Sequence, residues 1–176
     1  MSIALLSDSA SKLGNLISVG KLDPIELTEL YLKAIKEEPL SKRIYSTVTK
    51  ERARIEAKAS SDRMKSGMRK SALDGVPISW KDLFDTAGVF TEAGTDLLKG
   101  RIPSRDADVV RNATEAGLVC LGKTHMSELA FSGLGLNPVT QTPPCVNDLT
   151  AVAGGSSSGA AASVAFTLAV SGVGSA

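Results

Sequence analysis

Ala153-Gly154-Gly155-Ser156-Ser157-Ser158-Gly159-Ala160 runs straight into the small apolar segment Ala160 to Val170. Glycine opens backbone conformations closed to other residues and lets neighbouring groups approach closely. A serine hydroxyl both donates and accepts a hydrogen bond. A helix starting here would aim free N–H groups and its positive dipole end at the serines, which suits an anion or a reacting carbonyl. The plain alternative is a loop followed by a helix cap. A phosphate-binding loop would need a lysine after Gly159, and none follows. Gly155-Ser156-Ser157-Ser158-Gly159 fits the G-x-S-x-G elbow with Ser157 as nucleophile, but that elbow needs an acid and a histidine later in the chain. The only histidine, His125, lies upstream, and no acidic residue follows Asp148, so the elbow reading fails.

Two further stretches carry the argument outward. Asp74-Gly75-Val76-Pro77-Ile78-Ser79-Trp80-Lys81-Asp82 places Lys81 at the end of a short apolar, strand-like run. Gly117-Leu118-Val119-Cys120-Leu121-Gly122-Lys123-Thr124-His125-Met126-Ser127-Glu128 holds a second apolar run bounded by glycines. With the Gly/Ser stretch, and with 75 positions from Lys81 to Ser156, the chain resembles the amidase signature family of serine hydrolases. The resemblance spans nearly the whole sequence and rests on three motifs in the family's order.

The resemblance implies a single α/β domain over residues 1–176, with a mostly parallel or mixed central sheet flanked by helices. It implies that Lys81 is the catalytic lysine and Ser156 the bridging serine, held by a cis peptide bond. The roles of Ser157 and Ser158 stay open. The family's nucleophilic serine falls a few residues past Ala176. Gly174 and Ser175 match the approach to its loop, and Ala176 stands where the family usually has Asp. The chain is therefore expected to be truncated before the nucleophile loop and inactive alone. The implied activity of the parent protein is hydrolysis of a carboxamide C–N bond through a Lys–Ser–Ser relay. The alternative is an inactive fragment, or an assembly piece of an amidase or of a protein like the A subunit of glutaminyl/glutamyl-tRNA amidotransferases. The expected partner is a small-molecule amide, with no cofactor.

Bulk properties agree with a soluble globular domain. The chain has 176 residues, 43% hydrophobic and 22% charged, with a formal net charge of +1. That length suffices for one domain with a real core. The near-neutral charge gives no support to nucleic acid or an anionic membrane as partner. Cys120 and Cys145 lie far apart without metal-ligand spacing, so no metal is expected, and Cys120 reads as a buried core thiol. The amino terminus lacks a basic signal-peptide region, and no apolar run is long enough to span a membrane, which points to the cytoplasm. Oligomeric state is not fixed by the sequence, a homodimer being one option.

Taken in order, residues 8–19 read as a helix with Leu13, Leu16 and Ile17 on its apolar face. Asp23 and Pro24 open a second helix, with Leu27, Leu30, Tyr31, Ala34 and Ile35 as its stripe and Pro39 beyond its end. Ile44 to Val48 reads as a strand. Residues 50–66 read as a solvated helix over Ala53, Ile55, Ala57, Ala59 and Met64. Residues 85–105 read as loop. A helix capped by Ser104 or Asp106 is expected to pack through Val109, Val110 and Ala113. Leu118 to Leu121 reads as a buried parallel strand, and residues 133–147, rich in Gly and Pro, as a loop.

Overall fold

The computed structural model describes residues 3–175. After a 3-10 turn at Ile3–Ser7 come α1 (Ala10–Ser18), α2 (Pro24–Glu37), α3 (Ser41–Ile44), β1 (Tyr45–Val48), α4 (Lys50–Lys65) and β2 (Pro77–Lys81). Then follow α5 (Asp108–Glu115), β3 (Val119–Thr124), α6 (Ser158–Ala165) and β4 (Ser171–Val173). The strands form one mixed sheet in the order β1-β3-β2-β4. β2 is parallel to both β3 and β4, and β1 runs antiparallel to β3. The fold is therefore α/β, a mixed sheet flanked by helices.

The helix starts follow local chemistry. Ser9 and Asp23 cap α1 and α2, their side-chain oxygens accepting from the N–H groups of Lys12 and Ile25. Leu13 and Ile17 of α1 are buried with Leu27, Tyr31 and Ile35 of α2, as the helical spacing requires. They join Ile44, Tyr45, Val76, Val119, Leu121, Ala162 and Leu168 in the main core. A smaller core holds Ile78, Trp80, Val110 and Cys120, with Phe84 edge-on to Trp80 at a ring separation of 5.7 Å. Alternation along β2 sends Ile78 and Trp80 to that cluster and Ser79 to the other face, where its hydroxyl meets Ser163 of α6 at 2.8 Å.

Four expectations need correction. In α4, Ile55 is 70% exposed, and the buried face is made by Ala53, Ala57, Ser60 and Ser61. That helix is also less solvated than its charges suggest. Arg52 grips Asp106 with two nitrogens at 2.9 and 3.0 Å and Glu56 at 2.8 Å, and Glu56 accepts the Cys120 N–H at 2.7 Å. Asp106, committed to Arg52 and to the Ala87 N–H, does not cap α5, which starts after Ala107 without a side-chain cap. Val109 of α5 faces solvent, and Val110 alone is fully buried. Among the described residues no helix is long and apolar enough to cross a membrane, and no cluster of three or more His, Cys, Asp or Glu is placed to hold a metal.

Candidate active site

Three parallel strands end at one edge of the sheet: β2 at Lys81, β3 at Thr124 and β4 at Val173. The carboxyl ends of parallel strands are where open α/β sheets place their sites. Ser127 follows β3 on this edge and Ser175 follows β4. The Gly/Ser stretch crosses it on the way into α6, which begins at Ser158.

Close backbone packing fixes that crossing. The Gly159 N–H donates to the His125 carbonyl at 2.9 Å. A Cβ on Gly159 would sit 2.5 Å from that carbonyl oxygen, 2.6 Å from the His125 nitrogen and 2.7 Å from the Ile44 oxygen, so only glycine fits. The Gly155 N–H donates to the Gly133 carbonyl at 2.8 Å, and the Ser127 N–H to the Ser156 carbonyl at 3.1 Å. The Gly155–Ser156 peptide is cis.

Lys81 and Ser156, the two residues singled out from the sequence, meet directly. The Lys81 amine lies 2.6 Å from Ser156 Oγ, 2.8 Å from Ser175 Oγ and 3.3 Å from the Ser175 carbonyl. Lys81 is fully buried and Ser156 nearly so. No carboxylate among the described residues pairs with this lysine, and burial pushes its pKa below the ordinary lysine value. Ser156 also borders a shallow cavity of about 430 Å³, whose other walls are Ala130, Phe131, Ser132, Gly133 and Gly155. Phe131 is 95% exposed there, after Leu129 and Ala130 in the left-handed backbone region at φ 49° and 60°.

Ser175 was legible only as the approach to a missing loop, yet its hydroxyl touches the Lys81 amine. Ser157, left without a role, has its Oγ donating to the Ser175 carbonyl at 2.8 Å and accepting the Ser175 N–H at 3.1 Å. A second buried lysine also escaped the sequence reading. Lys123 is fully buried and pairs with Asp82 at 3.1 Å and with Thr91 Oγ1 at 2.9 Å. Burial raises the Asp82 pKa and lowers that of Lys123, while their mutual attraction opposes both shifts. His125, mostly buried, has its pKa lowered by burial.

The carboxyl edge of this α/β sheet thus carries a buried lysine held by serine hydroxyls. The family model described as Amidase matches residues 26–176, and the chain belongs to the amidase signature family. It is 41% identical over 151 residues to the A subunit of glutamyl-tRNA(Gln) amidotransferase from Anaeromyxobacter dehalogenans, covering 85% of this chain and 30% of that protein. It is 40% identical over 161 residues to the same protein of Acinetobacter baumannii, covering 92% of this chain and 32% of the relative. Peptide amidase from Stenotrophomonas maltophilia superposes with a TM-score of 0.82 at 32% identity, over 92% of this chain and 34% of that one. The chain thus spans about a third of the length of these relatives.

Proposed function

We propose that this chain supplies the lysine and bridging serine of an amide-hydrolysing site, Lys81 as base and Ser156 as proton relay, with the nucleophilic serine beyond Ala176. The observation that carries the reading is the 2.6 Å contact between the buried Lys81 amine and Ser156 Oγ, with no carboxylate among the described residues paired to it. A lysine serves as base only when neutral, and burial favours that form. The neutral amine takes the Ser156 hydroxyl proton. Ser156 in turn takes the proton of the nucleophile as it attacks the amide carbonyl. On collapse of the tetrahedral intermediate the proton returns along the same path to the departing amine. Water then repeats the sequence on the acyl-enzyme. The substrate is a small carboxamide and no cofactor is required.

The 40–41% likeness to the amidotransferase A subunits supports a second reading, in which the amide is the ammonia donor of an assembly. Ammonia release from acetamide, a long-chain primary amide and glutamine separates the two. Measured on a protein in which this chain continues through the nucleophile segment, Lys81→Ala and Ser156→Ala should each lose about 10² to 10⁴-fold in turnover, the usual worth of positioned proton transfer. The 176-residue chain alone should release none. Wild-type turnover in either variant removes that residue from the mechanism. Hydrolysis by the chain alone that is abolished by Ser157→Ala but not by Lys81→Ala would overturn the whole reading.

A further inference from the structure

We propose that Ser157 and Ser175 form a clamp that holds the Lys81 amine with its lone pair directed at Ser156, making Ser157 a positioning residue that acts through Ser175. The inference rests on the reading of Lys81 as base and assigns roles to two serines which that reading leaves idle.

Three oxygens surround the Lys81 nitrogen: the Ser175 carbonyl, Ser175 Oγ and Ser156 Oγ. A lysine ammonium has three N–H donors and no acceptor. The neutral amine has two N–H donors and one lone pair. The Ser175 carbonyl can only accept, so it takes an N–H in either state. It has two lone pairs, and the other accepts the Ser157 hydroxyl hydrogen at 2.8 Å. Ser175 Oγ, at 2.8 Å, takes the second N–H of the neutral amine. The lone pair is then left for the Ser156 hydroxyl, at the shortest of the three distances, 2.6 Å.

The clamp depends on where Ser175 is held. β4 ends at Val173, and two residues later Ser157 Oγ grips Ser175 at both its carbonyl and its N–H. Ser157 stands immediately before α6, and Gly159 is locked against His125, so the anchor is fixed by the body of the fold. Its single hydroxyl hydrogen is committed to the Ser175 carbonyl. Ser157 is thereby placed as a brace, with no proton free to relay.

The test is proton–carbon and proton–nitrogen NMR of Lys81 in the 176-residue chain, titrated in the wild type, Ser157→Ala, Ser157→Thr and Ser175→Ala. Ser175→Ala removes one acceptor, which favours the charged amine more than the neutral one. The Lys81 midpoint should fall by about half a pH unit or more. In the wild type the two Lys81 Hε protons should be inequivalent, because the side chain is pinned. Ser157→Ala should collapse that inequivalence, and Ser157→Thr, which keeps a hydroxyl, should restore it. A brace important only for folding would alter the melting temperature without moving these Lys81 signals. The proposal is overturned if the Lys81 midpoint and Hε shifts in Ser157→Ala and Ser175→Ala match the wild type. Should the clamp signals appear while the extended protein turns over no amide, the clamp stands and the amidase reading falls.

Discussion

Asp82→Asn removes the carboxylate of a buried ion pair while keeping its shape. The side chains of Lys123 and Asp82 are 0% and 6% exposed, so water cannot replace the lost charge. Lys123 would keep Thr91 Oγ1 and the new amide oxygen as partners, but its charge would be uncompensated. Breaking a buried pair from one side costs about 3 to 5 kcal/mol. An independent ceiling follows from the alternative open to the protein, which is to fold with Lys123 neutral. Deprotonating an ordinary lysine at pH 7 costs about 4.6 kcal/mol, from a reference pKa near 10.4 and about 1.36 kcal/mol per unit. The two estimates agree. With a urea m-value of about 2 kcal/mol/M, the unfolding midpoint should fall by about 1.5 to 2.5 M. The ceiling also sets the sign of the pH dependence. A lysine whose folded pKa is depressed makes folding harder wherever the unfolded chain is protonated, so the deficit is largest at low pH and shrinks as pH rises. By pH 9 it should be at most about 2 kcal/mol. The double variant Asp82→Asn/Lys123→Met should recover most of the loss, because no buried charge remains. A deficit below about 1 kcal/mol at pH 7, or one that does not change between pH 7 and pH 9, would refute a desolvated pair.

Gly159→Ala should cost about 3 kcal/mol, read as a fall in thermal midpoint, since the new methyl meets three backbone atoms that cannot move aside; an unchanged melt would mean α6 does not seat on His125 as described. His125 is held below its ordinary pKa by burial, so the unfolded chain takes up the proton first as pH falls. Stability from this group is complete above about pH 6.5 and declines below it. His125→Gln should flatten the urea midpoint between pH 7.5 and pH 5, and an identical slope in both proteins would rule out His125 as the source. Burial pushes the Cys120 thiol up to about 11, whereas Cys145 is only half-buried. The native chain at pH 8 should therefore show Cys145 as its fast-reacting thiol with a chromogenic disulfide, Cys120 following only in urea; rapid native modification of Cys120, located by peptide mass, would contradict its place in the core.

The sequence was most informative where one residue type answers one physical demand. Asp23-Pro24 announced α2, and the leucine and isoleucine spacings of α1 and α2 named their buried faces. The apolar runs ending at Lys81 and passing through Cys120 became β2 and β3. The same signals failed where a long-range partner decides. Asp106 looks like a cap from its neighbours, and only the fold reveals Arg52, 54 positions away, as its partner. Ile55 looks like a core residue by composition, yet α4 packs through Ala53, Ala57, Ser60 and Ser61, the last bonded to Asp23 at the head of α2. For the site, Lys81 and Ser156 were legible from motif resemblance. Ser175 was not, because its contact with Lys81 depends on β4 pairing beside β2, a relation of 94 positions that no local pattern encodes.

The adjacency of Lys81 and Asp82 invites the idea of a local ion pair, but the fold gives the two side chains different partners. Successive side chains along an extended backbone point to opposite faces. Asp82 stands one residue past the end of β2, where its N–H still bonds to the Thr124 carbonyl at 3.0 Å. Its carboxylate is committed to Lys123, one strand over. The result is two buried lysines on neighbouring strands with opposite surroundings. Lys123 has the Asp82 carboxylate beside it and also donates to Thr91 Oγ1. Among the described residues Lys81 meets hydroxyls and a carbonyl, which satisfy its N–H groups without neutralising a charge. Beside Lys123 the carboxylate opposes the loss of the proton that burial favours. A desolvated lysine among hydroxyls is pressed toward the neutral amine that proton abstraction needs. On the proposed reading of Lys81 as base, the commitment of Asp82 to Lys123 matters because it leaves the Lys81 amine among hydroxyls.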